Sequence, residues 1–364
     1  MVIMFTLEDK NIDLLLDNEC NQDCLDCFFK ESENLIKKDR QQDIETIEKL
    51  IKKFEKGRVF FYPKEPLTNL SLLKFYKDIN QSTILTNGKA IGKNPEILDL
   101  LKNVGIKEIK FTLFANYEEQ KDLKKISKED YVTLKQTIKR ASEDFNITIF
   151  NEIYRKNLEN MGDIATLCND LGVSKLTFLR LIPLGEAKNL PNDYFITSQK
   201  DGIKFVQQLQ KLKEVYKRDN LYIQSIPSAF GPDFFSKRTK KYLNGEDFGS
   251  WTKAKNLCPA IDGKYLGVSV RTGKIYPCFK MISEPESQVG EIIDNELKIN
   301  QIWVKSEDIK ENIQGNCKKC DYLEDCLGGC RSVAYIFAKL KGEKDPLYAG
   351  MDICRTQIRK ELGI

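Results

Sequence analysis

Ten of the eleven cysteines fall into groups whose spacing suits metal ligation. The first group is Cys20-x3-Cys24-x2-Cys27. The rest crowd into the last third of the chain. Cys258 is followed by fourteen residues to Gly273 and four more to Cys278, then come Cys317-x2-Cys320-x5-Cys326-x3-Cys330 and finally Cys354. Thiolates this close together on short loops can converge on one metal centre, which a disulfide framework does not require. The chemistry indicated is iron–sulfur. Zinc is the alternative, since C-x2-C pairs also build zinc knuckles and thiolate suits both metals; against it, the N-terminal triplet supplies only three ligands. Histidine is absent from the chain. Proton transfer is thereby left to Asp, Glu, Lys, Tyr, Cys or water, and histidine ligation is excluded.

The elements that must position these thiols follow a strand–helix alternation over the first two hundred residues, the pattern of βα units around a parallel sheet. Strands are expected at 12–16, 58–62, 82–86, 108–114, 147–153 and 175–181. Helices are expected at 42–54, 70–79, 96–103 and 157–171, the third ended by Gly105. Six such units predict an α/β fold, a partial (β/α)6 TIM-like barrel, with the Cys20 loop at the C-terminal end of its first strand, where such folds place their chemistry. Cys168 shares an apolar helix face with Ile164, Leu167 and Leu171, which favours a core role over hydrogen-atom donation.

At 364 residues two domains are the default. With 41% hydrophobic and 31% charged residues and a net charge of +4, nothing drives the chain toward nucleic acid, and no apolar run reaches membrane-spanning length. The first nine residues lack the pattern of a signal peptide. Free thiols and clusters then point to a reducing cytoplasm of an oxygen-poor cell. Residues 228–253 are basic and aromatic, and read as a linker helix with a solvated face or as a substrate-contacting segment.

The triplet resembles the signature of the radical S-adenosylmethionine (SAM) superfamily, and the seven-cysteine tail resembles the SPASM domain with its two auxiliary clusters. The resemblance implies a barrel over 1–227, a bridge over 228–253 and a SPASM domain over 254–364. It also implies three [4Fe-4S] clusters, SAM chelated at the open iron of the first, and a flavodoxin or ferredoxin as electron donor. Tyr62-Pro63-Lys64-Glu65-Pro66 stands where the family shows Gly-Gly-Glu-Pro, so Glu65 is expected at the SAM amino group despite the lost glycines; the alternative is a loop glutamate. Thr86-Asn87-Gly88 resembles the family's turn after strand three. Thr112 is a candidate ribose contact or a plain strand threonine. Asn151 and Arg155 are candidates for the ribose and carboxylate, Asn157 for a helix cap, and the backbone at Leu184 for adenine.

In the tail, the resemblance assigns Cys317, Cys320, Cys326 and Cys354 to the distal cluster and Cys258, Cys278 and Cys330 to the near one. The near cluster is left with an open iron or an oxygen ligand such as Asp262. The expected function is a radical SAM enzyme of oxidoreductase type that modifies a peptide or protein residue by hydrogen abstraction, forming a thioether or carbon–carbon crosslink or an epimer. The sulfatase-maturating branch is disfavoured, because Phe279 stands where that branch has an acid. Nineteen residues precede Cys20, so leader recognition is expected to fall to a separate leader-binding protein or to other surfaces. The alternative is a dehydrogenase or isomerase of a small molecule: a sugar, a cofactor or a tetrapyrrole intermediate. A bare electron carrier is the non-enzymatic reading.

Overall fold

The computed structural model describes residues 10–16, 19–29, 40–53, 59–216, 221–226 and 258–363. The bridging segment 228–253 and the first nine residues lie outside them. Two compact units emerge. One is drawn from Met1–Asp17, Phe28–Lys64 and Gly231–Thr356, the other from Asn18–Cys27, Glu65–Phe230 and Gln357–Ile364.

The first unit is built on a six-stranded sheet of order β11-β10-β9-β8-β1-β2. β1 (Asn11–Leu16) is a nearly continuous apolar run, as a strand covered on both faces requires, and its residues from Ile12 to Leu16 are all buried. It pairs in parallel with β2 (Val59–Pro63) and with β8 (Tyr265–Ser269), the registers running Ile12↔Val59 to Leu16↔Pro63 and Asn11↔Tyr265 to Leu15↔Ser269. Pro63 is tolerated because β2 is the sheet edge, where a missing N–H breaks no ladder. Asp13 is buried within β1 and accepts a hydrogen bond from the Tyr265 hydroxyl; burial pushes its carboxyl well above the usual range, against the opposing pull of Lys280. β9 (Lys274–Tyr276), β10 (Gly290–Ile293) and β11 (Glu296–Ile299) extend the sheet antiparallel. The last hairpin turns on Asp294-Asn295, both at positive φ, the two-residue turn that suits a twisted ribbon.

The second unit holds a five-stranded parallel sheet: β3 (Thr83–Leu85), β4 (Glu108–Thr112), β5 (Asn146–Ile153), β6 (Lys175–Arg180) and β7 (Tyr222–Ser225). Helices cross between them. α5 (Tyr117–Lys124), α6 (Lys128–Ala141) and α8 (Gln199–Val215) start at Asn116, Ser127 and Ser198, whose side chains accept N–H bonds of the first turn. Ile109, Phe111, Ile149, Leu176 and Phe178 are almost fully buried on one sheet face, Phe178 meeting Phe205 of α8 edge to face. Alternation puts Lys110, Thr112, Phe150, Glu152 and Thr177 on the other face.

All six expected strands form, and the fold class is α/β. β4 stops at Thr112 rather than Phe114, because the Phe114 N–H is taken by the Gln120 side chain. β7 and the pairing of β8 with β1 were not anticipated; both are short, and β8 meets a partner some 250 residues away in sequence. Cys168 on α7 (Met161–Asp170) is fully buried, in keeping with a core role. No helix among the described residues is long and apolar enough to cross a membrane.

Candidate metal centres

Cys20, Cys24 and Cys27 lie on the loop that leaves β1, all half-buried and none in a disulfide. Their charges act on one another, and burial pushes the Cys24 thiol far above its usual range. Several strand ends and helix ends of the second unit clamp the loop. Leu25 N–H bonds the Leu123 carbonyl at 2.8 Å and Gln22 donates to the Lys124 carbonyl at 3.1 Å, both at the last turn of α5. The Thr68 hydroxyl donates to the Glu19 carbonyl at 2.8 Å, and Glu186 N–H to the Cys27 carbonyl at 3.0 Å. Asn87 reaches Asn21 at 2.7 Å and approaches the Cys20 sulfur at 3.8 Å.

A buried ion triad completes the clamp. Lys124 Nζ bonds Asp26, between two of the cysteines, and Glu152 Oε2 of β5 at 2.7 Å. Burial works against each charge, yet Lys124 holds Asp26 below its usual range, and the two carboxylates hold Lys124 high. Glu152 is left with a carboxyl raised to about 8, by burial first and Asp26 second. Sequence reasoning missed this triad, since Lys124 is one of many lysines on amphipathic helices.

Glu65 is almost fully buried and anchors the Thr86-Asn87 turn: Oε1 accepts from the Thr86 hydroxyl at 2.7 Å and Leu67 N–H at 3.1 Å, and Oε2 from Asn87 N–H at 2.7 Å. Burial raises its carboxyl despite these donors. Thr112 ends β4 on the same sheet face as Glu152. Asn151 is buried on the opposite face of β5, its amide donating to the Leu113 carbonyl at 2.9 Å. Arg155 faces Asp201 at 3.8 Å and the Phe195 carbonyl at 3.4 Å. Asn157 accepts the Tyr154 N–H at 2.9 Å, a local turn contact rather than a side-chain helix cap. Leu184 is buried just before the 3-10 turn Gly185–Asn189.

The first unit brings the tail cysteines into two groups. Cys258 and Cys330 share a hydrogen bond, with Cys278 near enough to act on both. The Cys258 thiol donates and pulls Cys330 down to about 6. Cys317, Cys320, Cys326 and Cys354 form the other group, their charges mutually coupled. Backbone N–H groups point at the sulfurs: Arg331 at Cys258, Lys280 at Cys278, Met351 at Cys317, Gly329 at Cys326 and Val333 at Cys330. Ser332 Oγ lies 2.9 Å from the Cys278 sulfur. Gly350 is required by closeness, since a Cβ there would fall 2.8 Å from the Cys317 sulfur. Asp262, in a left-handed conformation, accepts the Ser306 N–H at 2.8 Å and lies 3.9 Å from Lys264 Nζ.

Among the described residues no three Cys, Asp or Glu side chains close around a single-ion position, so the fit to iron and sulfide rests on the donor set. That set fits: cysteines outside any disulfide in groups of three, three and four, with backbone N–H donors aimed at five of the tail sulfurs, surroundings that stabilise anionic iron–sulfur clusters.

Residues 16–171 match the sequence model of the Radical SAM superfamily. The AdoMet-dependent heme synthase of Oleidesulfovibrio alaskensis strain G20 is 24% identical over 232 residues, which are 62% of this chain and 54% of that protein. The chain thus matches about half the length of this curated relative. Among solved structures, Streptococcus suis SuiB bound to S-adenosylmethionine superposes with a TM-score of 0.61 and 17% identity over 95% of this chain and 78% of its own. The anSMEcpe structure with bound AdoMet and Kp18Cys peptide superposes with 0.68 and 16% over 96% of each. At such identities the two solved structures share the fold, a partial barrel of βα units. The matched stretch, residues 16–171, carries the three-cysteine loop, Glu65 and the Lys124 clamp, and it is this part of the chain that is similar to the radical SAM superfamily.

Proposed function

We propose that the protein is a radical SAM enzyme that modifies a peptide or protein residue by hydrogen abstraction, with Cys20, Cys24 and Cys27 holding the SAM cluster. The observation that carries the reading is the placing of these three thiols on one loop that is tied through Asn21 and Asn87 to the buried Glu65 carboxylate. A [4Fe-4S] cluster there would chelate SAM and supply the electron that cleaves it to methionine and a 5'-deoxyadenosyl radical. Glu65 offers a fixed negative charge to the SAM ammonium, and Thr112, Arg155 and the Leu184 backbone offer polar contacts to the rest of the molecule. Asn151 acts one layer further out, by holding the Leu113 carbonyl. Lys124 keeps the loop closed through Asp26 without joining the chemistry.

The tail is assigned as a SPASM domain over 254–364, its seven cysteines holding two auxiliary clusters, with the barrel over 1–227 and the bridge over 228–253. A peptide substrate is supported by two fold neighbours spanning nearly the whole chain: SuiB was solved bound to precursor peptide SuiA, and anSMEcpe with Kp18Cys peptide. The heme-synthase relative favours a second reading, a small tetrapyrrole substrate. A flavodoxin or ferredoxin donor completes the scheme, set in the cytoplasm.

The test is anaerobic reconstitution followed by SAM and dithionite. Iron should reach about twelve per chain, three cubes of four. 5'-Deoxyadenosine should form with the parent and not with the variant carrying Cys20→Ala, Cys24→Ala and Cys27→Ala; equal release from both would sink the assignment. Mass change in a co-encoded short peptide, against mass change in a porphyrin, separates the two substrate readings.

A further inference from the structure

Arg331 is fully buried at the start of the helix Arg331–Leu340. Its guanidinium remains charged at any working pH, and burial without a counter-charge is strongly unfavourable. Yet its hydrogen-bond partners are neutral. Nη1 donates to the Ala349 carbonyl at 2.8 Å and lies 3.5 Å from that of Gly328; Nη2 donates to the Leu347 carbonyl at 2.6 Å. Nε has no partner in the structure, and among the described residues no carboxylate is paired with the group. The charges that act on it are cysteines: Cys258 and Cys330 of one tail group, Cys317 and Cys326 of the other.

The pocket is shaped for this group. Gly328 sits at φ +75, and a Cβ there would fall 2.6 Å from Arg331 Nη1 and 2.5 Å from Ile313 Cδ1. The same helix start aims the N–H of Arg331 at Cys258 and that of Val333 at Cys330, adding the positive end of a helix dipole. Lys280, by contrast, acts on Cys278 and Cys330 and so serves one group only. A fixed cation that acts on both groups and is paired with no acid among the described residues is balanced only if the groups themselves are anionic.

We propose that Arg331 is a positioning residue shared by both tail centres, the common counter-ion of two anionic iron–sulfur clusters, and that its charge raises the reduction potential of each. The proposal rests on the reading that the tail cysteines hold such clusters. A positive charge close to a cluster favours the state with one more electron, so its removal drives the potential down.

The experiment uses the full chain with Cys20, Cys24 and Cys27 changed to alanine, so that only tail centres contribute. Iron content and redox titration followed by electron paramagnetic resonance are compared for Arg331, Arg331→Met and Arg331→Lys. The expected result is that Arg331→Met lowers both midpoint potentials, or loses tail iron, while Arg331→Lys recovers most of the potential or the iron. Full iron with unchanged potentials in Arg331→Met would overturn the proposal, as would a shift confined to one centre. Equal loss of iron in both variants would overturn it too, because shape rather than charge would then be what matters. A parent tail that takes no iron overturns the auxiliary-cluster reading and the proposal together, whereas a loaded tail indifferent to Arg331 overturns the proposal alone.

Discussion

Around Cys20, Cys24 and Cys27 the supports are side chains with opposed charges, Lys124 between Asp26 and Glu152, together with the amides of Gln22 and Asn87. Around the tail cysteines they are mainly backbone N–H groups, with the Ser332 hydroxyl, Lys280 and the buried Arg331 guanidinium beside them. The first arrangement leaves all three thiols half-buried; the second buries Cys258, Cys278, Cys317 and Cys326 and leaves Cys320, Cys330 and Cys354 half-buried. Charged side chains can fix a loop while leaving it open.

If the N-terminal loop depends on the ion triad, Lys124→Met gives the largest effect, because the buried Asp26 carboxylate and the half-buried Glu152 are left facing each other. Breaking a buried pair by removing one partner costs about 3–5 kcal/mol. Denaturant unfolding of the metal-free protein should show a loss of that order, and adding Glu152→Gln should recover part of it; an unchanged midpoint would refute the clamp. For the tail the matching break is Gly328→Ala, which forces a side chain into positive φ and into Arg331. Left-handed strain and overpacking together cost about 2–4 kcal/mol. Tail iron should fall while SAM cleavage at the N-terminal loop persists, and loss of both at once would erase the contrast between the regions.

Smaller effects sharpen the comparison. Glu65→Gln removes a charge-assisted contact and should weaken SAM binding by about 1.5–3 kcal/mol in a titration, with tail iron unchanged. A further comparison is in the pH dependence. The folded Glu152 carboxyl is raised to about 8 from an ordinary 4.5, so its contribution to stability is full below pH 4.5 and lost as pH rises toward 8. Glu152→Gln should flatten the stability curve across that window, while Gly328→Ala should leave its slope alone. Matching slopes for parent and Glu152→Gln would show that the carboxylate is not held by the triad.

Much of the candidate site was legible in one dimension, because ligand groups on short loops carry their spacing in the sequence: Cys20 to Cys27, and Cys317 to Cys330. The Glu65 and Thr86-Asn87-Gly88 stretches were legible for the same reason, each lying at the end of a strand whose apolar run is easy to read. Their mutual hydrogen bonds were not, since they join β2 and β3 ends twenty-one residues apart. Asn151 shows the limit of strand-end reasoning. It lies in the right segment, but a period of two turns it to the buried face and turns Glu152 to the other.

The sequence by itself determined that this is an α/β chain with a three-thiol loop after its first strand and seven further thiols in its tail, because strand periodicity and ligand spacing are local properties. Only the tertiary structure decided which charges those thiols meet. Lys124 is one basic residue among 58 Lys and Arg, and Arg331 follows a cysteine with nothing in its neighbours to mark it. Both acquire meaning through burial, which strips away water and makes the nearest opposite charge the dominant interaction. Burial of that kind depends on which distant segments the fold packs together, as when β8 is laid beside β1.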